Sequence, residues 1–588
     1  MQRLLIRQFA HWVGMVLLAL ACVVPAARAQ AVDWGQALGQ NQRGLGNVQV
    51  VVDAQSNAYI CGSFSDLLVL NAFTLYAPDS INPGALDVFV AKLDPNGICQ
   101  WAERAGGQGG VGGNTGYDRA DGIVLDAAGN VLVTGGFDSY SASFGSHTLF
   151  NAGPRTDLFV AKLNGATGQW LWARRAGGDS YDGGSAIKVD AVGDAYVLGS
   201  FGSTACQVGT VTLTRQTSSD LLIAKLNGVT GQWLWASRAG LGLGRPADLA
   251  LDGQGRVVVT GGFLHPVADF GADTLIAYSA GSGTNYVANE QCFVARLSTS
   301  TGSWQWATQG GDSNRQYGGA HGSAVTVDGQ GRITVAGNIH GCHNVRFGGT
   351  TLTNQSAAAP INGRLKSDIF VAQLDSTGQW LSASAVGGSG EERVQGIALE
   401  PGGSFCIGGT FDSPSFSVGT SGLQSTSRSI YMARVDAAGT WLDGSTVGNG
   451  GNAYLTGVAT DVLGRRYVGG IFQATTFQLG AATLTNIPNG TTGFVARLGA
   501  GPLAASTEQR AMPAGLVVWP NPTTGTVQIS GPAPGQRVQL VDVQGRCVVE
   551  GQMPTGGPLM LTRPASLAAG LYVVRVPGTR LTRRLVVE

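Results

Sequence analysis

Two short stretches of this 588-residue chain carry side chains that could do chemistry. The first is HGCH at residues 340–343, where two imidazoles and a thiol are close enough in sequence to suggest zinc. A structural zinc site needs four ligands, and His321, the nearest further candidate, stands at no recognised spacing. We interpret the stretch as a polar loop, and we predict no metal site and no cofactor.

The second stretch is Glu391-Glu392-Arg393, which could supply a paired acid and base. Adjacent residues of a strand point to opposite faces, so these two carboxylates would not converge on one substrate. The sequence also lacks the nucleophile-elbow, zinc-protease and P-loop motifs. We interpret this stretch as a solvated charged loop and predict no catalytic residue.

Tryptophan side chains could stack on sugar rings, but ten of the twelve recur in the predicted fourth strand of a repeated unit. Trp170 and Trp172 are two residues apart and therefore share one face of a strand. Burial between neighbouring sheets explains such a recurrence better than ligand binding does. The ten are Trp34, Trp101, Trp170, Trp172, Trp233, Trp235, Trp304, Trp306, Trp380 and Trp441.

The elements that position these residues are internal repeats. FVAKL at 89–93 recurs in seven versions, which begin at residues 89, 159, 222, 293, 370, 431 and 494. Each is preceded by a phrase such as IVLDAAGNVLVTGGF at 123–137, which also occurs seven times. The unit of roughly 60 to 77 residues suits a decorated propeller blade.

Each repeat predicts four antiparallel strands joined by tight turns, because β-branched and aromatic residues dominate and no helical period competes. A recurring acid, Asp126 in the second copy, stands at the first turn, where it can accept backbone N–H bonds. The last copy, FVARL at 494–498, lacks a following Trp-bearing strand, and VDWGQALGQ at 32–40 has the missing pattern. We therefore predict an all-β, seven-bladed β-propeller that an N-terminal strand closes.

The phrase D-x-x-G-x-x-Y-V-x-G-x-F, followed by D-x-F-V-A-K-L and G-x-x-x-W, resembles the seven-bladed β-propeller repeat family of secreted bacterial proteins. The resemblance covers about residues 31–498. It implies the fold and very little about activity, because propellers host many functions.

After residue 515 the repeats stop, and alternating strand patterns separated by turn residues predict a small β-sandwich. Its motifs resemble the type A C-terminal sorting domain of the type IX secretion system. That family has Tyr or Phe where Trp519 stands and often ends in a basic residue, whereas this chain ends in Glu588. The resemblance implies that the secretion machinery is a partner and that the protein is secreted or held at the outer-membrane cell surface. The residues that carry it are Trp519, Pro520, Asn521, Pro522, Gly525, Gly570, Leu571, Tyr572 and Val573.

The N-terminal 29 residues, with Arg3, Arg7, an apolar run and Ala27-Arg28-Ala29, predict a cleaved secretory signal peptide. No other apolar run is similar, so we predict a protein that is not integral to a membrane. Equal counts of acidic and basic residues, 37 each, argue against a nucleic-acid partner. Seven cysteines would remain after cleavage of the signal peptide. They are too few for a disulfide scaffold, and the sequence does not decide whether they form one or two disulfide bridges.

The predicted order is a signal peptide at 1–29, a propeller at 30–498, a linker at 499–515 and the sorting domain at 516–588. The two turns within each repeat are short, whereas the other connections are long and emerge on one face of a propeller. Functional residues concentrate on such loops. The candidate ligand-binding residues are Tyr117, Asp182, Arg315, Tyr317, His321 and Glu391.

The repeats are nearly uniform, and none is enriched in ionisable residues. The sequence therefore favours a monomeric, non-catalytic propeller that binds a protein or a glycan. A hydrolase or lyase acting on polysaccharide is the alternative, and a purely structural role at the surface or in a matrix is the third.

Overall fold

The structure is a computed structural model. It describes residues 31–39, 45–77, 85–110, 116–242, 244–252, 254–277, 279–280, 287–311, 318–356, 366–486, 490–499, 517–519, 526–530, 534–542, 546–554, 559–562, 570–577 and 582–587. The chain divides into two compact units between residues 504 and 505. The predicted signal peptide at 1–29 lies outside these ranges, as does the predicted linker apart from Gly499.

The described residues form strands and turns, and none of them is helical. Within the same ranges no helix is long and apolar enough to cross a membrane. The first unit begins with β1 (Val32–Leu38), and seven repeats follow.

The first repeat contains β2 (Leu45–Val52), β3 (Ala58–Phe64), β4 (Leu67–Leu70), β5 (Phe73–Tyr76), β6 (Asp87–Leu93) and β7 (Cys99–Gly106). The second contains β8 (Arg119–Leu125), β9 (Val131–Phe137), β10 (Ser141–Phe144), β11 (His147–Phe150), β12 (Asp157–Leu163) and β13 (Trp170–Gly177). The third contains β14 (Asp182–Val189), β15 (Ala195–Phe201), β16 (Ala205–Val208), β17 (Val211–Thr214), β18 (Asp220–Leu226) and β19 (Trp233–Gly240).

The fourth repeat contains β20 (Arg245–Asp252), β21 (Arg256–Phe263), β22 (Val267–Phe270), β23 (Asp273–Ile276), β24 (Ser279–Ala280), β25 (Val287–Ala288), β26 (Gln291–Ser298) and β27 (Trp304–Gly311). The fifth contains β28 (Gly319–Val327), β29 (Ile333–His340), β30 (Asn344–Phe347), β31 (Thr350–Thr353), β32 (Asp368–Leu374) and β33 (Trp380–Val386).

The sixth repeat contains β34 (Glu392–Leu399), β35 (Phe405–Phe411), β36 (Ser415–Val418), β37 (Ser421–Gln424), β38 (Ser429–Val435) and β39 (Trp441–Asn449). The seventh contains β40 (Tyr454–Thr460), β41 (Arg466–Phe472), β42 (Thr476–Leu479), β43 (Ala482–Thr485) and β44 (Thr492–Leu498).

Each blade is an antiparallel sheet of four long strands. In the first repeat these are β2, β3, β6 and β7, with β2 nearest the axis and β7 outermost. In the seventh blade β1 supplies the outer strand, with Trp34 opposite Arg497 and Ala37 opposite Phe494. The predicted seven-bladed propeller with N-terminal closure is therefore confirmed.

The four-strand repeat predicted from the sequence was incomplete, because the long connection from the second to the third blade strand contains a hairpin of its own. In five cases this hairpin pairs with the outer strand of the preceding blade and extends it to six strands, as β10 does with β7. The hairpin strands have only four residues each, so their pattern is too short to distinguish from a loop. The hairpins link neighbouring blades and increase the contact area between them.

The recurring acid makes the bonds predicted for it at the first turn. Asp126 Oδ1 accepts the backbone N–H groups of Ala128 and Asn130 at 2.9 and 2.8 Å. The recurring tryptophans are used for packing between blades. The Nε1 of Trp101 donates to the Gly165 carbonyl of the next blade at 3.1 Å, and its ring lies against Gly168, where a Cβ would come within 2.9 Å.

The second unit contains two antiparallel sheets. Their strands are β45 (Val517–Trp519), β46 (Thr526–Ser530), β47 (Arg537–Val541), β48 (Cys547–Gln552), β49 (Leu559–Thr562), β50 (Gly570–Arg575) and β51 (Thr582–Val587). Three strands form one sheet, in the order β45-β46-β49, and four form the other, in the order β48-β47-β50-β51. Both sheets contribute to one apolar cluster that includes Ile529, Leu540 and the predicted motif residue Tyr572, in keeping with the predicted sandwich. Gly570 begins β50, whereas Pro520, Asn521 and Pro522 lie outside the described residues.

Candidate functional site

The innermost strand of every blade contains a β-bulge near its start. Bulges re-aim side chains, and they are common beside binding sites. The bulged residues line the central channel or its mouth, and we call this ring the bulge collar. Six of its seven members are polar; the collar consists of Asn47, Asp121, Ser185, Ala247, Ser323, Gln395 and Thr456.

A cleft of about 610 Å³ opens at the loop-rich end of blades 1 to 3, above their part of the collar. Residues of β2, β8 and β14 form its floor, including Gln49, Arg119 and Ser185. Tyr117 and Tyr181, which stand within two residues of the starts of β8 and β14, also line the cleft, and they are 47% and 57% exposed. The cleft therefore combines a polar floor with two accessible aromatic rings.

An ion pair and an amide fix the polar floor. Arg119 Nε lies 2.9 Å from Asp121 Oδ2, and Asn47 Nδ2 of the neighbouring blade donates to Asp121 Oδ1 at 3.1 Å. Burial raises the pKa of Asp121, while Arg119 and Asn47 offset part of that effect. The Arg119 side chain is 57% exposed, so it can still donate to a ligand in the cleft.

The predicted residue Asp182 lines the same cleft, but its carboxylate is already saturated. Its Oδ2 accepts the hydroxyl of Ser203 and the N–H of Gly178, and its Oδ1 accepts the N–H groups of Gly202 and Ser203. Asp118 is bonded in the same way at the preceding blade, by Ser139 and Gly107 among others. These acids hold the blade junctions together.

The two junction acids make stability depend on pH. Burial raises the pKa of both Asp118 and Asp182 to about 6, from an unperturbed 3.8, despite the bonds they accept. An acid whose pKa is higher in the folded state favours folding when protonated, so stability is lost as the pH rises through this window. We expect the unfolding free energy to be greater at pH 5 than at pH 7, by about 1 kcal/mol for each acid.

Chemical denaturation of the mature chain across that pH range measures this effect. Between pH 7 and pH 5, the unfolding free energy of Asp118→Asn/Asp182→Asn should rise less than that of the wild type. Equal gains in the two proteins would contradict the assignment.

The predicted residue His321 lies in a different cluster, between blades 4 and 5. Its Nδ1 is 2.8 Å from Glu290 Oε1, and His340 Nε2 is 2.7 Å from Glu290 Oε2. Burial acts to raise the pKa of Glu290, but hydrogen bonds from the two imidazoles outweigh it and lower the pKa well below its usual value. Of the HGCH stretch, Cys342 is buried and His343 is exposed. Among the described residues, no three His, Cys, Asp or Glu side chains form a group that could hold a metal.

Glu391 does not join the cleft either. Glu391 pairs with Arg393 at 2.9 Å near the start of blade 6. The interpretation of residues 391–393 as a solvated charged loop was wrong for Glu392, which begins β34 and is buried. Arg315 and Tyr317 lie outside the described residues. Among the described residues of the predicted set, the structure thus brings together Tyr117 and Asp182 and places His321 and Glu391 elsewhere.

Sequence reasoning missed the cleft residues Asn47, Gln49, Arg119, Asp121 and Ser185. A signal for the collar was present, because a polar residue stands five positions before the recurring acid in five copies, as Asp121 does before Asp126. In the first copy the spacing is six. Only the bulges show that these residues turn toward the axis.

Residues 517–588 match the family described as "Secretion system C-terminal sorting domain". No curated protein matches the chain. Among solved structures, the quinohemoprotein alcohol dehydrogenase of Comamonas testosteroni is similar, at 11% identity and a TM-score of 0.35, over 80% of this chain and 76% of that one. The Dos1 propeller is similar at 10% identity and a TM-score of 0.35, over 77% and 94%. Similarity at this level carries no conclusion about activity.

The sheet topology and the matched domain together define the class of protein. The chain is a seven-bladed β-propeller followed by a type IX secretion sorting domain. It is therefore an exported protein with a secreted or cell-surface location.

Proposed function

We propose that this exported propeller is a non-catalytic glycan-binding protein and that the cleft over blades 1 to 3 is its binding site. The observation that carries the proposal is the composition of the cleft. Two exposed tyrosines stand beside amide, hydroxyl and guanidinium groups in a concavity of about 610 Å³. Sugars present hydroxyl groups at their edges and apolar C–H faces, so they need this combination of polar partners and aromatic rings.

The ring of Tyr181 and the main chain at Tyr117 are held in place before a ligand arrives. The backbone N–H of Tyr117 donates to Asp138, and Arg155 Nη1 donates to the Tyr181 hydroxyl at 2.8 Å. A ring that is already fixed loses little conformational entropy on binding, which favours affinity.

The carboxylates that line the cleft already have bonding partners, which supports binding of a glycan rather than its hydrolysis. Asp121 is ion-paired, Asp138 accepts the Tyr117 N–H and Asp182 accepts four bonds, so each described carboxylate of the cleft already has partners. A glycosidase needs two carboxyl groups that are available to the scissile bond.

A glycan array of plant, host and bacterial oligosaccharides, probed with the mature chain, tests the proposal. For the glycans that bind, we expect Tyr117→Ala and Tyr181→Ala each to weaken binding about tenfold, which corresponds to about 1.4 kcal/mol. Gly183→Val should block the cleft floor and still fold, because a Cβ there meets only Arg119 Nη2, at 3.7 Å. Calorimetric titration measures these affinities.

Tyr76→Ala is the matched control, because Tyr76 is also exposed, at 69%, but lies on the hairpin strand β5 and does not line the cleft. Its affinity should equal that of the wild type. An array without hits, or a glycan whose binding survives Gly183→Val, would refute the assignment of the cleft.

A further inference from the structure

Pairs of buried carboxylates recur at the junctions between blades. One acid begins the third strand of a blade, and the other lies at or just before the first strand of the next blade. A Cβ on Gly106 would lie 2.1 Å from Asp87 Oδ1 and 3.0 Å from Asp118 Oδ2, so the two acids of a pair lie close to each other. The pairs are Asp87 with Asp118, Asp157 with Asp182, and Asp368 with Glu392.

An arginine of the outer strand compensates the first two pairs. Arg104 Nε lies 2.7 Å from Asp87, and Arg175 Nη1 lies 2.8 Å from Asp157. Both arginines occupy the same register position, since each is opposite the phenylalanine of the third strand. Each of these junctions therefore has a cation beside its two acids.

The junction between blades 5 and 6 keeps both acids and lacks the arginine. The residue opposite Phe370 is Ala385, and no ion pair among the described residues involves Asp368 or Glu392. Both acids are fully buried, at 0% exposure. Asp368 Oδ1 and Glu392 Oε1 both lack a hydrogen-bond partner, whereas at the junction of Asp157 with Asp182 only Asp157 Oδ1 lacks one. Two uncompensated carboxylates at one buried site are strongly unfavourable.

The backbone groups around Asp368 and Glu392 match those around the acids of the other two junctions. Glu392 Oε2 accepts the Gly388 N–H at 2.9 Å, as Asp182 accepts that of Gly178. Burial raises the pKa of Glu392 to about 7; hydrogen bonds from Ser413 and Gly388 oppose the rise, and repulsion by Asp368 adds to it. Among the described residues, the junction therefore differs from its counterparts chiefly in the absence of the outer-strand arginine.

We propose that a hard divalent cation of the Ca²⁺ type binds between Asp368 and Glu392, in the place that an arginine guanidinium takes at the other junctions. The unpartnered oxygens Oδ1 and Oε1 are its anchoring ligands. Hard cations prefer oxygen ligands, and two carboxylates balance a divalent charge. Backbone carbonyl groups or water complete the coordination. The ion stabilises the interface between blades 5 and 6, and sequence reasoning missed the site because its ligands come from different repeats.

The test is thermal unfolding and calorimetric titration of the mature chain after removal of divalent ions with EGTA. Addition of CaCl₂ should raise the unfolding temperature by about 3 °C, and titration should show one saturable site. Equal ionic strength supplied as NaCl should give no such rise. No heat of Ca²⁺ binding to the wild-type chain, or an equal rise with NaCl, would overturn the proposal and favour a proton shared by the two acids.

Two variants locate the site. Ala385→Arg restores the guanidinium found at the other junctions, so it should raise the unfolding temperature without Ca²⁺ and remove the response to Ca²⁺. Asp368→Asn/Glu392→Gln should lose the calorimetric binding. Asp157→Asn is the matched control, because Arg175 already compensates its junction, and it should bind Ca²⁺ as the wild type does. Unchanged Ca²⁺ binding by Ala385→Arg would place the ion elsewhere and contradict the assignment.

Discussion

A chain that begins at Gly39 instead of Gln30, and so lacks β1, is expected not to fold as a stable monomer. The missing strand pairs with β44 along its length, and Trp34 Nε1 donates to the Pro95 carbonyl of the first blade at 2.9 Å. Trp34 also packs edge-on against Tyr467, at a centroid distance of 6.2 Å. Loss of β1 exposes the edge of β44 and removes the contacts of Trp34 that link blade 7 to blade 1. We expect a loss on the order of 5 kcal/mol or more, comparable with the whole stability of many domains.

Size-exclusion chromatography and denaturant unfolding measure this outcome. A synthetic peptide of residues 30–39, added in trans, should restore part of the stability, whereas the same peptide with Trp34→Ala should restore less. If the shortened chain is monomeric and unfolds at the same denaturant concentration as the longer one, closure by β1 is not what holds the ring together.

Glu400→Gln is expected to destabilise the propeller by about 3–5 kcal/mol, because it leaves a buried guanidinium without its anion. Glu400 Oε1 lies 2.6 Å from Arg466 Nη2 of the next blade, and the two side chains are 7% and 6% exposed. In the other six repeats the acid at the position of Glu400 is aspartate, and the position of Arg466, five residues after the acid of its own repeat, holds a small or apolar residue such as Val131 or Ala195. The pair is therefore a local replacement of apolar packing by a buried ion pair.

The repeats themselves suggest the control. Glu400→Asp/Arg466→Val reproduces the combination of Asp53 with Val131 of the next blade, and it should remain within about 1 kcal/mol of the wild type or exceed it. Urea unfolding of the three proteins gives the comparison. A cost below about 1 kcal/mol for Glu400→Gln alone would show that water reaches the pair.

The number of blades and the closure of the ring could be predicted because they depend on strong, repeated local signals. Each copy of FVAKL predicts a third strand. Because no Trp-bearing strand follows Leu498, the sequence predicts that the strand containing Trp34 completes the last blade. The inserted hairpins were missed because four-residue strands such as β10 and β11 carry too little periodicity.

The candidate site was predicted only in part. Tyr117 and Asp182 could be assigned to one face from loop length, but their convergence depends on neighbouring repeats that meet in space. Asp121 could not be assigned to the channel, because a bulge shifts the alternation of inward and outward side chains by one residue. The pairing of Glu290 with His321 and His340 likewise joins residues 31 and 50 positions apart.

The strand that closes the ring also sets the order in which the protein can mature. Val32 pairs with Leu498, so the first strand stays without its partner until nearly the whole repeat array has left the ribosome. The sorting domain, at residues 517–588, is synthesised only after that partner. A chain that displays its export signal has therefore already acquired every strand its ring requires, and incomplete translation products lack the means of leaving the cell envelope.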